Sequence, residues 1–365
     1  MIPWQFMADR TFTKQKNSIY VYVRPSHKKI KRIVEGVMKK RILVTGRLPE
    51  EIMKDLSKKY AAEINIEDKP FNRQKLLKGI KDKDGLLSMI TDAVDEDVLG
   101  RANRLTMIAQ FGVGYNNIDV KAATKRGIPV SNTPGVLTDA TAELAFALIL
   151  AISRRLAEGD RMTREGRFRC WAPMLFLGHE VTGKTLGIIG MGKIGKAVAQ
   201  RARCFRMPIL YHNRSRIGVR EEKELTAKYV DMKTLLSQSD FISLHVPLSD
   251  ETRHLIGIKE LSLMKPTGYL INTSRGPVVD EKALFRALRK KEIGGAGLDV
   301  YENEPALTPG LARLDNVILL PHVGSGTLET RFRMAAMAVE NLIAGLSGKV
   351  PPNLVNRDVL PHRRL

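Results

Sequence analysis

A short apolar run, Thr185 to Ile189, leads straight into Gly190, Met191, Gly192, Lys193, Ile194 and Gly195, and a helical pattern through Ala197, Val198 and Ala202 follows at once. Strand, glycine turn and helix in that order leave few folds open. In a βαβ unit the first glycine permits the tight turn, the second lets backbone approach a pyrophosphate, and the third lets helix pack closely on sheet. The helix N-terminus then faces the phosphate charge. Without that context the spacing is weak evidence, whereas between strand and helix it points to a dinucleotide. Gly112, Val113 and Gly114 also follow a strand-like run, but Asn117 stands where the third glycine would, so no second dinucleotide site is read there.

The rest of the chain has the same rhythm. From Arg41 onward the short apolar runs Ile42 to Thr45, Ala62 to Ile66, Gly85 to Ile90 and Leu105 to Gln110 alternate with helical stretches, one of them opened by Pro49. Such alternation favours a parallel sheet covered by helices. A long apolar helix is predicted from about Thr138, and a second series starts at Thr185 with strands near Ile209, Phe241, Tyr269, Gly295 and Val317. A chain of 365 residues exceeds what one core usually serves. The expected fold is therefore α/β, with two doubly wound parallel-sheet domains and a cleft between them: a flavodoxin-like substrate domain and a Rossmann cofactor domain.

The last strong helix, Thr327 to Leu346, has no sheet partner in the second series and is expected to return to the first domain. That gives a discontinuous substrate domain of residues 38–136 plus 325–360 and a cofactor domain of residues 137–324. Residues 1–37 read as an extension. Lys28, Lys29, Lys31 and Arg32 cluster there without a sustained apolar period, no continuous apolar core marks a secretory signal, and Asp9 and Glu35 count against a transit peptide. An extended or misassigned start is the favoured reading.

Composition narrows the function classes. No apolar run approaches the roughly 20 residues needed to span a bilayer, so a soluble protein without a membrane partner is expected. Two cysteines, Cys170 and Cys204, form no close pair for zinc or redox chemistry, which suggests a reducing, cytoplasmic compartment and no metal site. The net charge of +21 would suit nucleic acid, but the basic residues are scattered and no nucleic-acid motif accompanies them. A solvated basic surface that helps gather anionic ligands is the preferred reading.

About 20 residues past the glycine turn, an NAD-specific site places an acid on the ribose 2′-hydroxyl. Here the strand Ile209 to Tyr211 runs into His212, Asn213, Arg214, Ser215 and Arg216. No carboxylate repels a 2′-phosphate and two guanidiniums can pair with one, so NADP(H) is the expected preferred cofactor, with NAD(H) a possible second. The bland alternative is a pair of surface arginines.

Three later strands end in groups that carry chemistry. Leu270 to Asn272 runs into Thr273, Ser274, Arg275 and Gly276; Gly295 to Val300 runs into Tyr301, Glu302, Asn303, Glu304 and Pro305; the next strand ends at Pro321, His322, Val323 and Gly324. Open α/β sheets bind ligands at this edge. The set suits reduction of a 2-oxo acid: an Arg to hold the carboxylate and polarise the carbonyl, a His to protonate the developing alkoxide, and a Glu to hold the His. Singly, Arg275 could pair structurally, Glu304 could cap a loop, and His322 could be a hydrogen-bonded core ring.

With these motifs in hand, the stretch from about Met38 to about Asn356 resembles the D-isomer-specific 2-hydroxyacid dehydrogenases, on Gly190 to Gly195, Asn272 to Gly276, Asp299 to Pro305 and Pro321 to Gly324. The resemblance implies that Arg275 binds substrate, that His322 is the acid/base, and that Glu304, which directly precedes the proline, is its partner rather than Glu302. Phe111 to Asp119 resembles the family's substrate loop, where the backbone amides of Val113 and Gly114 would hold the substrate carboxylate. Asn132 to Glu143 resembles the hinge about which the domains close. The expected cofactor contacts are Gly190, Met191, Gly192, Lys193, Ile194, Gly195, Asn213, Arg214, Ser215, Arg216, Pro247, Thr273 and Ser274.

Within the family, His212 to Arg216 and Trp171 to Gly178 look most like the glyoxylate and hydroxypyruvate reductases, which implies NADPH-dependent reduction of one of those 2-oxo acids. A tryptophan matching Trp171 implies a homodimer in which it reaches the neighbouring subunit's site; plain core packing is the alternative. Two other functions stay open. One is a dehydrogenase for another D-2-hydroxy acid, of phosphoglycerate or lactate type, although no extra regulatory domain is evident after Leu346. The other is a non-catalytic dinucleotide-sensing co-repressor, against which the intact Arg275, Glu304 and His322 weigh.

Overall fold

A computed structural model describes residues 39–364; the extension 1–37 lies outside the described residues. Five parallel strands, β1 (Arg41–Val44), β2 (Ala61–Ile64), β3 (Gly85–Met89), β4 (Met107–Phe111) and β5 (Val130–Ser131), form one sheet in the order β2-β1-β3-β4-β5. Seven more, β6 (Leu186–Ile189), β7 (Ile209–His212), β8 (Ala227–Tyr229), β9 (Phe241–Leu244), β10 (Tyr269–Asn272), β11 (Gly295–Leu298) and β12 (Val317–Leu319), form a second in the order β12-β11-β10-β9-β6-β7-β8. Every named pairing is parallel. The expected pair of doubly wound α/β domains is what the chain forms.

Central strands read as continuous apolar runs because helices cover both faces, and β4, β6, β9, β10 and β11 are buried along their whole length. Edge strand β2 is half exposed and alternates. The strands β5 and β8 have no counterpart in the sequence reading: at two and three residues they are too short to carry a period. In the larger sheet the chain runs outward from β6 through β7 to β8, then restarts at β9 on the other side of β6. The β6/β9 boundary is the switch point at which such sheets open a crevice.

Two long helices link the sheets. Thr138–Ser153 packs on helix Lys193–Cys204 and on β10 and β11, burying Ala142, Ala145, Phe146 and Ile149. Leu328–Leu346, opened by a Thr327 side chain that accepts from the Thr330 amide, packs on β3 and β4. Its Met334, Ala335, Ala338 and Leu342 share a core with Ile42, Val44, Leu87 and Met107; complete burial of Leu342 alone contributes about 2 kcal/mol. No helix of the described residues is long and apolar enough to cross a membrane.

Candidate active site

The glycine turn sits at the C-terminal end of β6, against the end of β9. Gly190 has φ +100°, and a Cβ there would stand 2.7 Å from the His245 carbonyl carbon. At Gly195 a Cβ would collide with the Gly190 carbonyl oxygen, whereas at Gly192 it would meet nothing within 4 Å. The three positions thus need glycine for a left-handed turn, for an open approach from outside, and for helix-on-strand contact. Gly192 caps helix Lys193–Cys204 without a side-chain hydrogen bond, leaving first-turn amides to an incoming anion. Lys193 is exposed beside them, while Met191 is buried and Ile194 half-buried. Asn213 Oδ1 accepts from the Met191 amide at 2.6 Å, tying the end of β7 to the turn.

Across the crevice, the buried Thr273 Oγ1 has no hydrogen-bond partner among the described residues, an orphan that a ligand atom can satisfy. Ser274 is engaged locally: its amide and hydroxyl both donate to Asn272 Oδ1, at 3.0 and 2.8 Å. Exposed Pro247 offers its carbonyl to Thr252 Oγ1 at 2.6 Å. These residues fit an extended dinucleotide lying over the ends of β6, β9 and β10.

The two arginines after β7, equivalent in the sequence, are placed differently. Arg216 Nε and Nη2 donate to Glu222 Oε1 and Oε2 at 2.7 and 2.6 Å. Tyr211 adds its hydroxyl to Oε1 at 2.5 Å. Arg216 first, then Tyr211, hold the Glu222 carboxyl at about 2 against the opposing effect of burial. Arg214 and Ser215 are exposed and donate no side-chain hydrogen bond among the described residues.

Arg275, Glu304 and His322 leave β10, β11 and β12 at the same edge. His322 Nδ1 donates to Glu304 Oε2 at 2.8 Å, and Glu304 Oε1 accepts from the Tyr301 amide at 3.0 Å. Burial raises the Glu304 pKa, but the His322 hydrogen bond and charge, the Tyr301 amide and Arg275 outweigh it, so the carboxyl lies below its ordinary value. Glu302 faces elsewhere, accepting from His254 Nε2 at 2.7 Å. The asymmetry expected between the two glutamates is therefore present in the geometry.

Arg275 reaches across to the first sheet. Its Nε donates to Asn116 Oδ1 at 2.9 Å and its Nη1 to the Ser274 carbonyl at 2.7 Å, and its guanidinium lies against Gly114. Burial lowers its pKa and the Glu304 charge partly restores it. In the loop after β4, the Val113 and Gly114 amides donate to nothing among the described residues, although buried or half-buried amides normally find partners. The loop is braced instead by its carbonyls, Val113 O accepting from Asn132 Nδ2 at 2.8 Å and Gly112 O from the Thr133 amide at 3.0 Å.

Three residues at this site escaped the sequence reading. Asn116 orients Arg275. Asp299, buried at the end of β11, accepts from the Val323 and Gly324 amides at 2.8 and 2.7 Å and so pins the loop on which His322 sits with φ +55°. Arg331, in the first turns of helix Leu328–Leu346, is half-buried with its guanidinium 5.8 Å from the Phe111 ring centre, and its side chain makes no hydrogen bond or ion pair among the described residues. Asp299 had a signal, a carboxylate closing an apolar strand. Arg331 had none, since one charge on an amphipathic helix is ordinary.

The chain is similar in sequence and fold to proteins already known. Residues 146–324 match the family described as D-isomer specific 2-hydroxyacid dehydrogenase, NAD binding domain. The chain is 52% identical over 327 residues to a glyoxylate reductase of Thermococcus litoralis, covering 88% of this chain and 98% of that protein. Among solved structures, a Thermus thermophilus protein superposes with TM-score 0.80 at 43% identity, covering 86% of this chain and 99% of that one. An NADPH-dependent glyoxylate/hydroxypyruvate reductase of Sinorhizobium meliloti, in complex with NADP and malonate, has TM-score 0.76 at 32% identity, covering 90% and 99%.

Proposed function

The chain belongs to the D-isomer-specific 2-hydroxyacid dehydrogenases, NAD(P)-dependent oxidoreductases, and within that family we propose that it reduces glyoxylate or hydroxypyruvate to the 2-hydroxy acid, with NADPH preferred. The observation that carries this reading is the pair of amides, Val113 and Gly114, unpartnered among the described residues and beside the Arg275 guanidinium, whose charge acts in turn on Glu304 of the His322–Glu304 pair. A small 2-oxo acid matches that set: two amides and a guanidinium take its carboxylate, and Arg275 polarises its carbonyl.

When bound, the reduced nicotinamide supplies the hydride. His322 supplies the proton: its Nδ1–H is committed to an ionised Glu304, which leaves Nε2 to deliver a proton to the developing alkoxide. Glu304 steadies the imidazolium and fixes the ring. Asp299 holds the loop that carries it. The cofactor is proposed to lie along Gly190 to Gly195, Asn213 to Arg216, Pro247, Thr273 and Ser274, with Arg214 the guanidinium that meets a 2′-phosphate. Residues 137–324 would move as the cofactor domain against residues 38–136 and 325–360, closing over substrate.

A homodimer is proposed on a separate observation. Trp171 is 79% exposed, with Phe168, Met174, Leu175 and Leu177 also exposed beside it, so the plain core-packing reading does not hold within one subunit. Exposed large apolar side chains gathered along one short segment are the mark of an interface. Sedimentation should give a dimer, and Trp171→Ala should weaken it; a monomer in the unaltered protein would refute the proposal.

The deciding assay is loss of nicotinamide absorbance with glyoxylate, hydroxypyruvate, pyruvate and phosphohydroxypyruvate, each with NADPH and with NADH. Fastest turnover of glyoxylate or hydroxypyruvate with NADPH is expected. A clear preference for pyruvate or phosphohydroxypyruvate would overturn the substrate, and equal use of NADH the cofactor.

A further inference from the structure

The loop after β7 is built over a carboxylate that the linear order of residues hides. The acid that selects NADH ordinarily closes this strand; here His212 closes β7, and the next residue, Asn213, has its side-chain oxygen committed to the Met191 amide. Glu222, from helix Val219–Leu225, folds back beneath the loop. Its side chain is 9% exposed, against 59% for Arg216. The Tyr211 hydroxyl that donates to Glu222 accepts in turn from the Ile217 amide at 3.1 Å. Glu222 therefore anchors both ends of the loop through one buried carboxylate, and one edge of Arg216 neutralises it while Nη1 bonds nothing among the described residues.

An arginine paired in this way offers less net attraction to a phosphate than its charge suggests, because the carboxylate behind it cancels most of its field at a distance. Removing the arginine leaves a net −1 beneath the loop rather than zero. Resting on the NADPH preference proposed above, we propose that Glu222 is a masked acid of the cofactor pocket: Arg216 favours a 2′-phosphate mainly by neutralising Glu222, and Arg214 supplies the direct contact. Glu222 is thus a positioning and specificity residue, one neutralisation away from an NADH-selecting acid.

The test is titration of nicotinamide fluorescence to obtain the dissociation constants of NADPH and NADH at pH 8 for the full chain and for R216A, E222Q and R216A/E222Q. R216A should weaken NADPH about tenfold and leave NADH unchanged or tighter. Adding E222Q should return NADPH to within about threefold of the unaltered protein. A double variant as weak as R216A, or an R216A that binds NADPH normally, would overturn the proposal. So would equal weakening of both coenzymes, the mark of a purely structural role. If R216A does not fold, E222Q alone decides: freeing Arg216 should tighten NADPH and not NADH, and weaker NADPH overturns the idea. Should the unaltered protein bind both coenzymes equally, the preference itself fails, while the rescue of R216A by E222Q is judged from the NADPH constants alone.

Discussion

Gly114→Ala should separate catalysis from folding at this site. Gly114 lacks the left-handed φ that demands glycine, so alanine is compatible with the backbone. A Cβ there would overlap Arg275 Nη2 and stand 2.7 Å from Cζ and 3.2 Å from Nε. Ordinary contact is about 3.5 Å, so the tip of the guanidinium must retreat by roughly 1.5 to 2 Å and give up its bond to Asn116. The obstructing group is the far end of a flexible side chain, which keeps the stability cost within about 1 kcal/mol. A displacement of that size in the residue proposed to hold the carboxylate should lower kcat/KM about 100-fold, a loss of about 2.7 kcal/mol in transition-state stabilisation. Glyoxylate kinetics, NADPH binding and thermal unfolding on one preparation would test this. Activity within about threefold of the unaltered enzyme, in protein of unchanged Tm, would refute the placement of Arg275 against the amide loop.

Three further outcomes follow from the same geometry. His322→Ala should abolish turnover while NADPH still binds; retained turnover would remove His322 as the proton donor. Glu304 has a native pKa below its ordinary 4.5, so its ionisation adds stability that is present above about 4.5 and is lost as the pH falls through the lower native value; Glu304→Gln should flatten the decline of the urea midpoint on the acid side, and parallel profiles would contradict this. Arg331, its guanidinium held over Phe111 without a side-chain hydrogen bond among the described residues, has donors left for an acid substrate, so Arg331→Met should raise KM for the 2-oxo acid about tenfold with the NADPH dissociation constant unmoved; equal loss of both would refute a substrate role.

Much of the site was legible because Arg275, Glu304 and His322 each stand just past an apolar run, and a parallel sheet delivers all such positions to one edge. The glycine turn was legible for the same reason, each glycine answering a steric demand that recurs wherever strand, turn and helix meet a phosphate. Other features depended on long-range pairing. Glu302 and Glu304 are two residues apart in one loop, and only the fold turns one toward His322 and the other toward His254. Arg331 gains meaning from Phe111, on a strand far away in sequence. The pair Val130–Ser131 joins the first sheet through β4 and is further tied by the Val355 amide to the Val130 carbonyl, a brace no local pattern announces.

The arginines after β7 show the physical limit of reading charge along a chain. A rule that scans the end of the strand for an acid counts residues in one dimension, whereas a phosphate responds to the summed field around it, in which Glu222 counts as fully as Arg216. Arg275 illustrates the converse. Nothing in its sequence neighbourhood specifies that it should lean on the opposite domain, where Asn116 accepts from its Nε and Gly114 lies against its guanidinium. An arginine braced by hydrogen bonds to a neighbouring side chain and carbonyl loses less side-chain freedom on binding an anion. The same placement makes Arg275 sensitive to the position of a loop from the other sheet, and a methyl group at Gly114 would overlap its guanidinium.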